Sequence, residues 1–124
     1  MAASKTWTTE QKQAIRQAFS LSEESPSGLV WASDRRSGNG RLNHKAGDVA
    51  GRIWKLRGLS YWRVGLAKRE YYVHRIVYFL HYNVDPNQND CTVDHINRDG
   101  LNNSQSNLRL ATRAMQQQNR RWNL

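Results

Sequence analysis

Residues 92–112 read TVDHINRDGLNNSQSNLRLAT, and the order of chemistry along them decides the fold. Cys91-Thr92-Val93 is a short apolar, β-branched run that ends in Asp94-His95. From Asn97 to Ser106 the chain is polar and rich in Asn, with Asp99 and Gly100 among them, which is the chemistry of turns. Leu108 and Leu110 then alternate with Arg109, the period of a second strand. Thr112 suits an N-cap, and Arg113 to Trp122 reads as a terminal helix with Met115 and Trp122 on its apolar side. The expected order is strand, polar loop, strand, helix. Two short antiparallel strands crossed by a helix bring Asp94, His95, Asn107, Gln116 and Asn119 to one cleft.

Upstream, Tyr61 to Leu66 alternates, with Trp62, Val64 and Leu66 on one face and Tyr61 and Arg63 on the other. Ala67 to Glu70 turns the chain into Tyr71-Tyr72-Val73, a hairpin. The period changes at His74: Ile76, Val77 and Leu80, with Phe79 and Tyr82, suit a helix of about two turns that Asn83 to Pro86 ends. Leu29-Val30-Trp31 is a short apolar run, and Ser37 to Gly40 is a turn. Nearest the N-terminus, Thr8 and Gln11 have capping-box spacing, and Ile15, Ala18 and Phe19 recur at helical spacing. Ser22 to Gly28 (SEESPSG) breaks that pattern and has the composition of a linker. The expected organisation is a helical arm and linker at 1–28, a basic β-rich region with a helix at 29–90, and the strand–loop–strand–helix unit at 91–124. This is an α+β chain.

Composition narrows the function. The chain has 124 residues and a net charge of +9, too short for architectures such as a TIM barrel. Arg supplies 14 of the 19 basic residues, and Arg is the side chain for bidentate phosphate and base-edge contacts. The charge is uneven: residues 31–72 carry +7, residues 94–124 carry +3, and the rest nearly cancel. That is the footprint of a nucleic-acid binder. Arg35, Arg36, Arg41, Lys45, Arg52, Lys55, Arg57 and Arg63 fall in the glycine-punctuated β-region and are candidate phosphate contacts, with His74, Arg109 and Arg113 nearer the Asp94-His95 pair. Trp31, Trp54, Trp62 and Tyr61 share this stretch; most are expected in the core, and an exposed one would point to base or sugar contacts. One cysteine, Cys91, excludes an internal disulfide and any multi-Cys zinc cage, and fits a reducing compartment. No apolar run approaches the ~20 residues of a membrane span, and the first residues lack the apolar stretch of a secretory signal. A cytoplasmic protein is expected.

The run VDHINRDGLNNSQSNLRLAT, residues 93–112, with the upstream stretch YWRVGLAKREYYVHRIVYFLH, residues 61–81, resembles the HNH nucleases, in particular the phage-type HNH homing endonucleases. The resemblance covers roughly residues 29–119. It implies a ββα-metal finger, double-stranded DNA as partner, and a metal-dependent endonuclease that nicks or cuts DNA as a monomer or homodimer. It implies His95 as general base, Asp94 as a metal-ligating carboxylate, and Asn107 as the residue that holds base and loop in place. The third motif position falls at Gln116, where the family carries His or Asn. Asn119, on a neighbouring helical face, is the alternative ligand. Because of Gln116, a degenerate HNH domain that binds DNA without cutting it is the competing reading.

The implied chemistry suits these residue types. A phosphodiester is an anion that repels nucleophiles and has a poor leaving oxygen. Mg²⁺ or Mn²⁺ held by hard oxygen ligands would offset that charge. An imidazole with an ordinary pKa near ~6.5 is largely neutral at cellular pH and can take a proton from water. Asn107 would orient the imidazole by hydrogen bonding. The expected products carry 5′-phosphate and 3′-hydroxyl ends.

Overall fold

A computed structural model describes residues 6–87 and 91–112. The expected terminal helix, with Arg113, Gln116 and Asn119, lies outside the described residues. The elements run α1 (Thr9–Ala18), β1 (Phe19–Leu21), β2 (Leu29–Trp31), β3 (Arg35–Arg36), β4 (Leu42–His44), β5 (Arg52–Leu56), β6 (Leu59–Leu66), β7 (Arg69–Tyr72), α2 (Val73–Tyr82), β8 (Thr92–His95) and β9 (Leu108–Ala111). The fold is α+β: among the described residues two helices accompany small antiparallel sheets, β1–β2, β3–β4, β5–β6–β7 and β8–β9.

The capping box forms: Gln11 N–H donates to Thr8 Oγ1 at 3.1 Å, and Thr8 N–H donates to Gln11 Oε1 at 2.8 Å. The helix is shorter than its spacing implies. At Phe19 the chain turns extended and pairs with β2, Phe19 opposite Trp31. The pairing buries both rings 4.8 Å apart, which outweighs one more helical turn. The expected linker, Ser22 to Gly28, is therefore the connection of a β-hairpin. Gly28 closes it at φ +88°, and a side chain there would also press on Val77 and Asn103, each 3.3 Å away.

One core runs through all three expected segments. Ile15 and Phe19 from the N-terminal part, Leu29 and Trp31 from β2, and Val64, Leu66 and Tyr71 from the sheet belong to it. So do Val73, Ile76, Val77 and Phe79 of α2, and Val93 and Leu108 of β8–β9. Trp7 stands edge-on to Tyr71 and Phe79. Asp85, just past α2, accepts from Trp7 N–H at 3.1 Å and pairs with Lys12 at 3.4 Å, which fastens the first helix to the second. α2 is the centre of the molecule: its apolar face packs on β1, β6 and β7 on one side and on β8 and β9 on the other. Among the described residues no helix is long and apolar enough to cross a membrane.

Candidate active site

The site is built on β8–β9. Their register places Asp94 opposite Arg109 and His95 opposite Leu108. Val93 and Leu108 point into the core, so by the two-residue period of a strand Asp94 is turned the other way. Asp94, His95 and Arg109 line a cleft of about 940 Å³. Its opposite wall is β6 and the β5–β6 turn, with Trp54, Tyr61, Leu56 and Leu59, and its floor includes His74 at the start of α2. Trp54 and Tyr61 are only half-buried, although most aromatics of this stretch are expected in the core.

Between the strands, the loop from Ile96 to Asn107 is held by side-chain amides and carboxylates. Asn97, Asp99 and Asn102 each accept from the backbone N–H two residues on, at 2.9, 3.0 and 3.1 Å. These are Asx turns, which fold a loop without a ladder. Asn107 is the clamp. Its Nδ2 donates to Asn97 Oδ1 at 2.9 Å and to the Asn102 carbonyl at 2.8 Å, while its Oδ1 accepts from Asn97 N–H at 2.9 Å. Gly100 seats the loop against β6, so close that a Cβ would stand 2.2 Å from the Ser60 carbonyl oxygen.

Asn107, expected to hold the base and the loop in place, bonds through its side chain to the loop at Asn97 and Asn102. The residue bonded to His95 is Asn103, whose Oδ1 lies 2.8 Å from His95 Nε2. Asn103 is 4% exposed, and its Nδ2 donates to the Ser27 carbonyl at 2.9 Å. That second bond fixes which way the amide faces. With the nitrogen committed to Ser27, Oδ1 must meet His95, and Oδ1 only accepts. Nε2 therefore carries the proton, a tautomer assigned from the bonding network, and Nδ1 carries the lone pair. Little in the local pattern points to Asn103: it is one Asn in an Asn-rich loop, and its second partner lies 76 residues away.

Burial lowers the His95 pKa below its ordinary value, partly opposed by the Asn103 bond and by Asp99 and Asp94. His74, a candidate phosphate contact, is instead buried beside His95, the two rings 4.7 Å apart and edge-on. Its pKa is lowered well below the ordinary value, first by burial, then by His95 and Arg75. Its Nδ1 has no hydrogen-bond partner among the described residues. Burial disfavours the charged form of both imidazoles, and for His74 the neighbouring His95 adds to it.

The basic candidates divide. Arg109 lines the cleft, and so do Arg98 and Arg75, which the sequence reading did not single out. Arg63 lies over Trp54 at 4.5 Å and near Tyr72 at 5.6 Å, an arrangement that holds the guanidinium flat on the sheet. Arg57 caps the β5–β6 turn. Arg52 is paired with Glu70 at 2.6 Å. Lys55 is exposed on the other face of β5. Arg35, Arg36, Arg41 and Lys45 belong to the β3–β4 ribbon and its flanks, and none of them lines the cleft.

No cluster of three or more His, Cys, Asp or Glu able to hold a metal occurs among the described residues. What they offer is the Asp94 carboxylate beside His95 in a polar, water-accessible cleft. A hard divalent cation bound by few protein oxygens, with waters completing its shell, would suit that set.

Residues 71–118 match the family model of the HNH endonucleases. The match spans α2 and the whole β8–loop–β9 unit, so this part of the chain is similar to the HNH endonucleases. No curated protein and no solved structure matches the chain.

Proposed function

We propose that the protein is a metal-dependent DNA endonuclease that hydrolyses phosphodiester bonds, with His95 as general base. The observation that carries this is the bond from Nε2 to Asn103, which leaves Nδ1 as the proton acceptor. Burial supports the role, because an imidazole held neutral is ready to accept a proton near neutral pH. His95 takes a proton from the attacking water at Nδ1. Asn103 holds the ring in place, and Asn107 holds the loop. Asp94, with Gln116 or Asn119, would hold Mg²⁺ or Mn²⁺, which when bound offsets charge on the scissile phosphate and the leaving oxygen. Arg109 and Arg98 grip the phosphate within the cleft, and Arg113, outside the described residues, is a further candidate contact. The substrate is duplex DNA, and the products carry 5′-phosphate and 3′-hydroxyl ends.

The test is relaxation of supercoiled plasmid by the purified protein in Mg²⁺ or EDTA, beside His95→Ala. The expected result is metal-dependent nicking that falls by about 10²–10⁴-fold in the variant, the usual contribution of a general base. DNA binding without any nicking by the wild type overturns the reading and leaves a DNA-binding HNH domain.

A further inference from the structure

β5 and β6 join through a two-residue turn, Arg57-Gly58, with φ of +53° and +82°. Positive φ at both positions matches the twist of the strands and makes a stiff hairpin. Leu56 pairs with Leu59 and Trp54 with Tyr61, so these four side chains share one face of the ribbon. That face is the wall of the cleft opposite His95. Trp54 and Tyr61 are half-buried at its base. The two leucines at its tip are 47% and 57% exposed. A single exposed Leu means nothing. A facing pair at the end of a stiff ribbon, with Arg57 in the turn and Lys55 on the ribbon's other face, is an apolar tip with a cation on either side.

The tip is also tied to the candidate base. Ser60, next to Leu59, is where Gly100 seats the 96–107 loop against β6. A duplex whose phosphate enters the cleft therefore meets the leucine pair beside it. The surrounding segment, residues 31–72 at +7, favours a polyanion as the occupant of this surface.

We infer that Leu56 and Leu59 form a wedge that enters the minor groove of duplex DNA next to the cleaved phosphate and unstacks one base step. This rests on the nuclease reading. Apolar wedges flanked by cations kink duplexes in this way. Lys55 and Arg57 hold the phosphates on either side, and the kink turns the scissile bond into a cleft that a straight duplex would meet only edge-on.

The experiment uses the full chain, duplexes carrying 2-aminopurine at successive positions, and EDTA, so that binding is read without cutting. Anisotropy reports binding, and 2-aminopurine fluorescence reports unstacking. The wild type and His95→Ala are expected to raise fluorescence at one or two adjacent positions. Leu56→Ser with Leu59→Ser is expected to keep the wild-type melting temperature, lose the fluorescence rise and, with Mg²⁺, nick about tenfold more slowly because the kinked duplex is no longer held. A wild type that binds the duplex with no fluorescence rise overturns the wedge. So does a double variant that unstacks and nicks like the wild type. A concentration-dependent dimer lost in the double variant overturns it in favour of self-association. A fluorescence rise without nicking by the wild type supports the wedge and removes the nuclease reading. Failure to bind duplex DNA overturns both.

Discussion

The core around α2 and the loop between β8 and β9 lie side by side and are held by different forces. The core is apolar: Val73, Ile76, Val77 and Phe79 are at most 2% exposed, and burial of their side chains supplies the stabilisation. The loop from Ile96 to Asn107 buries little apolar surface. Ile96 is 51% exposed, and the loop's shape comes from directional bonds of Asn and Asp side chains to backbone. The two regions thus divide the work. A non-directional core tolerates repacking and gives stability. A hydrogen-bonded loop fixes the positions of a few atoms, which is what an imidazole used as a base requires.

This division has measurable consequences. Phe79→Ala removes the ring that Trp7 and Arg16 pack on, and is expected to cost about 3–5 kcal/mol. For a domain of this size that is a large share of the total; urea unfolding would read it, and a loss under ~1 kcal/mol would deny the core its role. Asn107→Ala leaves Asn97 N–H and the Asn102 carbonyl without their partner. It is expected to cost about 1–3 kcal/mol and to speed amide exchange at Asn97 while α2 stays protected. Equal loosening of loop and helix would mean that the two regions are not separate.

A smaller effect is in pH. The folded pKa of His74 lies below its unfolded value, so above ~6.5 both states are neutral and His74 contributes no pH dependence. As pH falls below ~6.5 the unfolded chain takes up a proton that the fold refuses. Stability is then lost by at most about 1.4 kcal/mol per pH unit, down to the folded pKa. His74→Gln is expected to flatten the stability profile between about pH 6.5 and 5. Superimposable slopes for the two proteins would contradict the buried neutral pair.

The same division governs what was legible from sequence. Periodicity found α2, the 61–73 hairpin and the strands at 92–95 and 108–111, because core-facing residues must repeat with the element's period. It overran α1 at Phe19, where the competing partner, Trp31, lies twelve residues on. The motif reached Asp94, His95 and Asn107, and the structure brings them to one unit. It could not assign the work among Asn97, Asn102, Asn103 and Asn107, because amides in one loop share a chemistry and differ only in their partners. Asn103 is set by Ser27 and the positive φ of Gly28, contacts that no local pattern encodes. The position of His74 between hairpin and helix suits a structural role or a phosphate contact, and its place beside His95 follows from how α2 docks on β8.

The most direct test of this account is the nicking rate of Asn103→Ala, measured with its melting curve in the same Mg²⁺ buffer. The variant removes the bond that sets the His95 tautomer and leaves the core intact. The account predicts a rate lower by about 10–100-fold, with a stability loss of about 1–3 kcal/mol. Nicking at the wild-type rate would contradict it, because His95 would then need no partner to act as the base.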